Sequence, residues 1–131
     1  MKEITIKCYE FSWYDKTNLL NMIEDSINKT KKEFEKTKNQ KLKNALENYY
    51  NALNNCFDNL KNNVIDLKHI EILYNLCIDR YNYYNDKVKA CSPDMISTYI
   101  DLRSDFGSFQ GIFQRVYMNN YNEEFIFKFT E

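Results

Sequence analysis

The chain has very few residues that break regular backbone. It holds two glycines and one proline in 131 residues, and all three fall between Pro93 and Gly111. Nothing from Met1 to Ser92 is glycine or proline, so long helices can run there uninterrupted. The same scarcity excludes the glycine-rich phosphate loops of nucleotide-binding folds. Asp105-Phe106-Gly107 spells a kinase magnesium motif, but it has no companion motif elsewhere in the chain. His69 is the only histidine, which excludes a multi-histidine metal site, and no cofactor is expected.

Other absences are as informative. No apolar run approaches the ~20 residues that cross a bilayer, so no membrane partner is expected. The opening Met1-Lys2-Glu3-Ile4-Thr5-Ile6-Lys7 has no apolar leader core. Cys8, Cys56, Cys77 and Cys91 are scattered without a C-x-x-C pair, and a cytoplasmic location with reduced thiols is expected. Neither charge dominates. Eighteen Lys and Arg against nineteen Asp and Glu give a net charge of −1, unlike an electrostatic nucleic-acid binder or an acidic nucleic-acid mimic.

What is abundant is lysine, asparagine, isoleucine, tyrosine and phenylalanine. Their codons are AT-rich, which points to an AT-rich genome and discounts part of the aromatic surplus. The length suits a single domain over 1–131 with one core.

The periodicity predicts an α+β fold. Residues 3–11 alternate, with Ile4, Ile6 and Cys8 on the face expected to be buried. Ser12, Asp15 and Thr17 are candidate helix caps, and Trp13 and Tyr14 fall in the expected strand-to-helix loop. A helical stripe then runs through Leu20, Ile23, Ile27 and Phe34, and resumes from Leu42 to Val64. Between them Lys36–Lys41 is wholly polar. The pattern allows one helix over 17–62, roughly 70 Å long, or a helical hairpin turning near 37–41, and the hairpin is favoured by length. A further stripe follows Asp66 (Ile70, Leu73, Cys77, Tyr81, Tyr84, Val88), and Ser92-Pro93 opens another helix expected to stop by Gly107. Residues 111–130 alternate about a polar Asn119–Asn122 turn and predict a β-hairpin. Three to four helices, about 16–105, should therefore pack on a small antiparallel sheet made of strand 3–11 and that hairpin.

No catalytic set stands out, and a non-enzymatic chain is expected. Asp101, Asp105 or a cysteine would have to carry any reaction. The Lys-rich stretch 29–43 holds seven lysines, and Lys29, Lys32, Lys36 and Lys43 would share a stripe if the helix persists. That is the nucleic-acid alternative. The favoured function is a protein-binding module anchored by Trp13, Tyr14, Tyr50 and Tyr83, with Arg103 and Arg115 as bidentate contacts. Small size and residue bias resemble, as a class only, the anti-defence inhibitors of phages and mobile elements, such as anti-CRISPR proteins. Such a chain blocks a host protein by occupying its functional surface. A homodimer is a further possibility.

Overall fold

A computed structural model describes residues 3–130. The elements are β1 (Thr5–Phe11), α1 (Trp13–Lys36), α2 (Gln40–Lys61), α3 (Ile70–Ala90), α4 (Ile96–Tyr117) and β2 (Glu123–Phe129). Short 3-10 turns at Leu67–His69 and Pro93–Met95 precede α3 and α4. The chain divides into two compact units: 3–9 with Ile70–Ile126, and Glu10–His69 with 127–130.

The second of these is built on the α1–α2 hairpin. Ser12 caps α1 reciprocally, accepting from the Asp15 amide at 3.1 Å while Asp15 Oδ2 accepts from the Ser12 amide at 2.9 Å. The helix therefore starts at Trp13, and Trp13 and Tyr14 stand on its first turn rather than in a loop. α1 ends at Lys36, and Asn39 restarts the backbone by accepting from the Leu42 amide at 3.1 Å. The hairpin is thus observed, and the long single helix is not. Leu19, Met22 and Ile23 of α1 are buried, as are Leu53, Cys56 and Leu60 of α2. Each such aliphatic side chain contributes about 1.5–3 kcal/mol by leaving water. Asn62 ends α2, and Asn63 takes φ 61°, a conformation that asparagine tolerates. Asp66 Oδ1 then accepts from the Lys68 amide and begins the turn into α3.

The other unit is built on the α3–α4 hairpin. α3 buries Ile70, Leu73, Leu76 and Cys77; α4 buries Phe106, Phe109, Phe113 and Val116. Tyr84 stacks on Tyr99 and on Phe106, whose ring meets Phe109 edge-on. This corrects the expected end of the helix at Gly107. α4 passes through both glycines, because the 106, 109, 113, 116 spacing aligns four apolar side chains along one helical face. That burial outweighs a helix-interior glycine cost of about 1 kcal/mol each.

The sheet also departs from expectation. Gly111–Tyr117 is helical, so there is no C-terminal hairpin, and the sheet has two strands in the order β1–β2. They run parallel, not antiparallel. The Thr5 amide donates to Asn122 O at 3.2 Å at one end, and the Thr130 amide to Phe11 O at 2.9 Å at the other. In this register the odd residues of β1 turn their amides and carbonyls to β2, and the even ones turn theirs away. Tyr9 stacks on Phe125, and Phe11 on Phe129. The buried face of β1 is therefore the Lys7–Tyr9–Phe11 side. Ile4 and Ile6 are 63% and 61% exposed and Cys8 is exposed, the reverse of the expected arrangement.

Candidate functional site

The most unusual surface lies where α4 passes into β2. α4 winds down through Met118, whose amide donates to Gln114 O, and Asn119, whose amide donates to Val116 O. Two residues later Tyr121 takes φ 67° with its side chain 93% exposed. A left-handed conformation costs a non-glycine residue about 1–2 kcal/mol, and a solvated phenol ring recovers nothing from burial. The flanking residues impose this geometry. Arg115 grips Glu123 bidentately, with Nη2 at 2.6 Å from Oε1 and Nε at 3.1 Å from Oε2. Asn119 Nδ2 donates to Glu123 O at 2.7 Å, and Asn122 O accepts from Thr5. Tyr121 is held between two fixed ends.

Tyr117 and Met118 beside it are 52% and 65% exposed, and Tyr117 is steadied by stacking on Tyr74. A shallow cavity of about 380 Å³ lies alongside, lined by Thr5, Arg115, Met118, Glu123 and asparagines 119, 120 and 122. Arg115 holds the Glu123 carboxyl below its usual range, and Glu123 in turn raises the guanidinium. Lys7 adds a weaker pull on the same carboxylate. What remains is tyrosine, methionine and amide, with an arginine whose fork is already engaged.

The residues singled out from sequence are distributed more widely. Trp13 and Tyr14, 66% and 52% exposed, sit on the first turn of α1. Tyr50 is half-buried and lines a groove of about 330 Å³ between α1 and α2, with Lys31, Phe34, Glu35, Glu47 and Asn51. Tyr83 is exposed on α3, edge-on to Tyr84, with the Lys87 ammonium over its ring. Arg103 Nη1 donates to Asn85 Oδ1 of α3 at 3.0 Å, two positions along the helix from Tyr83 and on a different face. Only Arg115 belongs to the Tyr117–Tyr121 surface. Tyr117, Met118 and Tyr121 were not singled out from sequence. The asparagine run marks the turn, but the alternation of residues 111–118 gives the helix that carries Tyr117 and Met118 to it the pattern of a strand.

Lys29, Lys32 and Lys36 are exposed on α1. The helix ends there, and Lys43 stands on α2 with its ammonium 5.4 Å over the Phe34 ring. The four lysines therefore form no continuous stripe. His69 is buried and its Nδ1 has no hydrogen-bond partner. Burial pushes its pKa down and pushes the Cys56 thiol up to about 12. Among the described residues no group of three or more His, Cys, Asp or Glu is placed to hold a metal. Among the described residues no helix is long and apolar enough to cross a membrane.

No family model, curated protein or solved structure matches this chain.

Proposed function

We propose that the chain is a non-enzymatic protein-binding module that acts by occupying part of a partner's surface, with Tyr117, Met118 and Tyr121 as its principal anchors. The observation that carries this is Tyr121: an aromatic ring held fully in solvent, in a disfavoured backbone conformation, by hydrogen bonds on both sides. Local strain retained at a pinned, exposed position is a mark of binding and switching sites. Tyrosine, methionine and arginine are enriched at the centres of protein interfaces, and tyrosine and asparagine in paratopes. Arg115 is paired internally with Glu123 and Lys7 is the one further cation that acts on that carboxylate, too little positive charge to track a phosphate backbone, which favours a protein partner over nucleic acid. Trp13 and Tyr14 supply a second exposed aromatic pair on the α1–α2 unit.

The test is capture of partners by the full chain, with and without nuclease, set against a Met118→Ala/Tyr121→Asn variant. Asparagine tolerates the left-handed backbone while removing the ring. Loss of two central anchors weakens a protein complex by about thirtyfold or more, with the melting temperature equal to or above that of the wild type, since asparagine relieves the left-handed strain. Retention of every partner by the variant, or their loss to nuclease alone, would refute the proposal.

A further inference from the structure

The structure leaves one side of β1 open in a way that selects its own complement. The even residues of β1 turn their amides and carbonyls away from β2, and among the described residues no third strand takes them up. Ile4 and Ile6 are among the most exposed aliphatics of the chain, and Glu3, Thr5 and Cys8 are exposed too, while Lys7 is half-buried and its charge acts on Glu123. An open, flat edge with apolar residues is a template for another strand.

The sequence of this edge decides which strand fits. Read outward from Thr5, the segment is Glu3-Ile4-Thr5-Ile6-Lys7. An antiparallel copy of itself, related by a two-fold axis at Thr5, sets Thr5 opposite Thr5, Ile4 opposite Ile6, and Glu3 opposite Lys7. Ile6 turns its backbone groups outward within β1; Glu3 and Ile4 precede the strand, and continuing its alternation through them makes Ile4 and Ile6 a pair that exchanges hydrogen bonds. Thr5, Glu3 and Lys7 fall at the non-hydrogen-bonded positions, where opposed side chains approach most closely. Both ion pairs and the threonine pair thus occupy the closest contacts. Neighbouring registers lose this match. An axis at Ile6 sets Lys7 against Thr5 and Glu3 against Tyr9, and an axis at Lys7 sets the two lysines against each other.

We infer that β1 is a homodimerisation edge: two copies of the chain pair antiparallel through Glu3–Lys7 and join their two-stranded sheets into one of four strands. The occupant is a second copy because the charge pattern is self-complementary and the match occurs in one register. The inference does not depend on the function proposed for Tyr117–Tyr121.

The experiment is sedimentation velocity of the full chain over a concentration series, with Glu3→Lys, Lys7→Glu and the Glu3→Lys/Lys7→Glu exchange. All four proteins are first matched by circular dichroism. The wild type populates a dimer as concentration rises. Each single reversal replaces two attractive cross-strand pairs by two repulsive ones and weakens the dimer by about tenfold or more; Lys7 also attracts Glu123 within its own chain, so Glu3→Lys, which leaves that contact intact, is the deciding reversal. The exchange variant returns to within about threefold of wild type, because the pairs re-form with their signs swapped. A wild type that stays monomeric at its highest soluble concentration overturns the inference. So does a dimer indifferent to the single reversals, or an exchange variant that fails to recover.

Discussion

Replacing Gly111 by alanine stabilises the protein. Gly111 lies inside α4, and a Cβ built on it meets no atom within 4 Å. The position is exposed, so the methyl group disturbs no packing. Alanine in a helix interior is favoured over glycine by about 0.8–1.0 kcal/mol, chiefly because the unfolded chain loses conformational freedom. Unfolding entropy of about 2.1 cal/mol/K per residue converts about 1 kcal/mol into about 3–4 °C if all 131 residues melt together. The shift is about twice that if the α3–α4 unit melts alone. Gly107→Ala is the internal comparison. Its Cβ would lie 3.4 Å from Cδ2 and Cε2 of the Tyr81 ring, so the ring must give slightly and the gain is smaller. Thermal melts by circular dichroism, with denaturant titration for ΔΔG, measure both. A midpoint lowered by Gly111→Ala would show that residue 111 is not helical, and the continuous α4 would fall with it.

Three further outcomes follow from the buried and capping groups. His69 is buried with its Nδ1 unpartnered, and desolvation lowers its pKa against the opposing pull of Asp66, with Lys68 adding to the lowering. Its unfolded form binds the proton more readily, so its contribution is complete above about pH 6.5 and is lost as pH falls below that value; denaturant midpoints from pH 8 to 5 should show this slope, and His69→Gln should remove it. Thiol labelling at pH 8 followed site by site should modify Cys8 quickly, while Cys56 and the fully buried Cys77 react only on unfolding; equal rates at Cys8 and Cys56 would contradict the burial that raises the Cys56 thiol. Asn39→Ala should cost about 1 kcal/mol in the denaturant midpoint and Asn39→Gly only a few tenths, since glycine is itself a tolerated N-cap.

The sequence made the α1–α2 hairpin legible because the polar gap from Lys36 to Lys41 interrupts two strong apolar stripes, and burying those stripes on each other needs a turn. The Ser12 cap was equally readable, since it is a property of a few adjacent residues. α4 was not. Ile112, Val116 and Met118 alternate with Phe113, Arg115 and Tyr117 well enough to mimic a strand, and Gly107 and Gly111 seemed to end the helix before it. What decided the matter was packing at a distance: Phe113 and Val116 continue the face begun by Phe106 and Phe109, and α3 supplies the surface they bury against. The face of β1 failed for a related reason. Alternation shows that two faces differ, while the choice between them is made by rings more than a hundred positions away, at Phe125 and Phe129. For the candidate site, the asparagine turn was visible and the aromatic it presents was not, because backbone strain at Tyr121 has no signature in composition.

The parallel pairing of β1 with β2 has a consequence for biosynthesis. Thr5 waits for Asn122, so the first strand leaves the ribosome long before its mate exists. At about 5–20 residues per second the interval is roughly 6–24 s, during which the nascent segment is open to chaperones and to neighbouring chains on the same message. Both helical hairpins can close meanwhile, since each joins sequence neighbours. Ribbon closure is then the last event of maturation, and the one most sensitive to a pause late in translation.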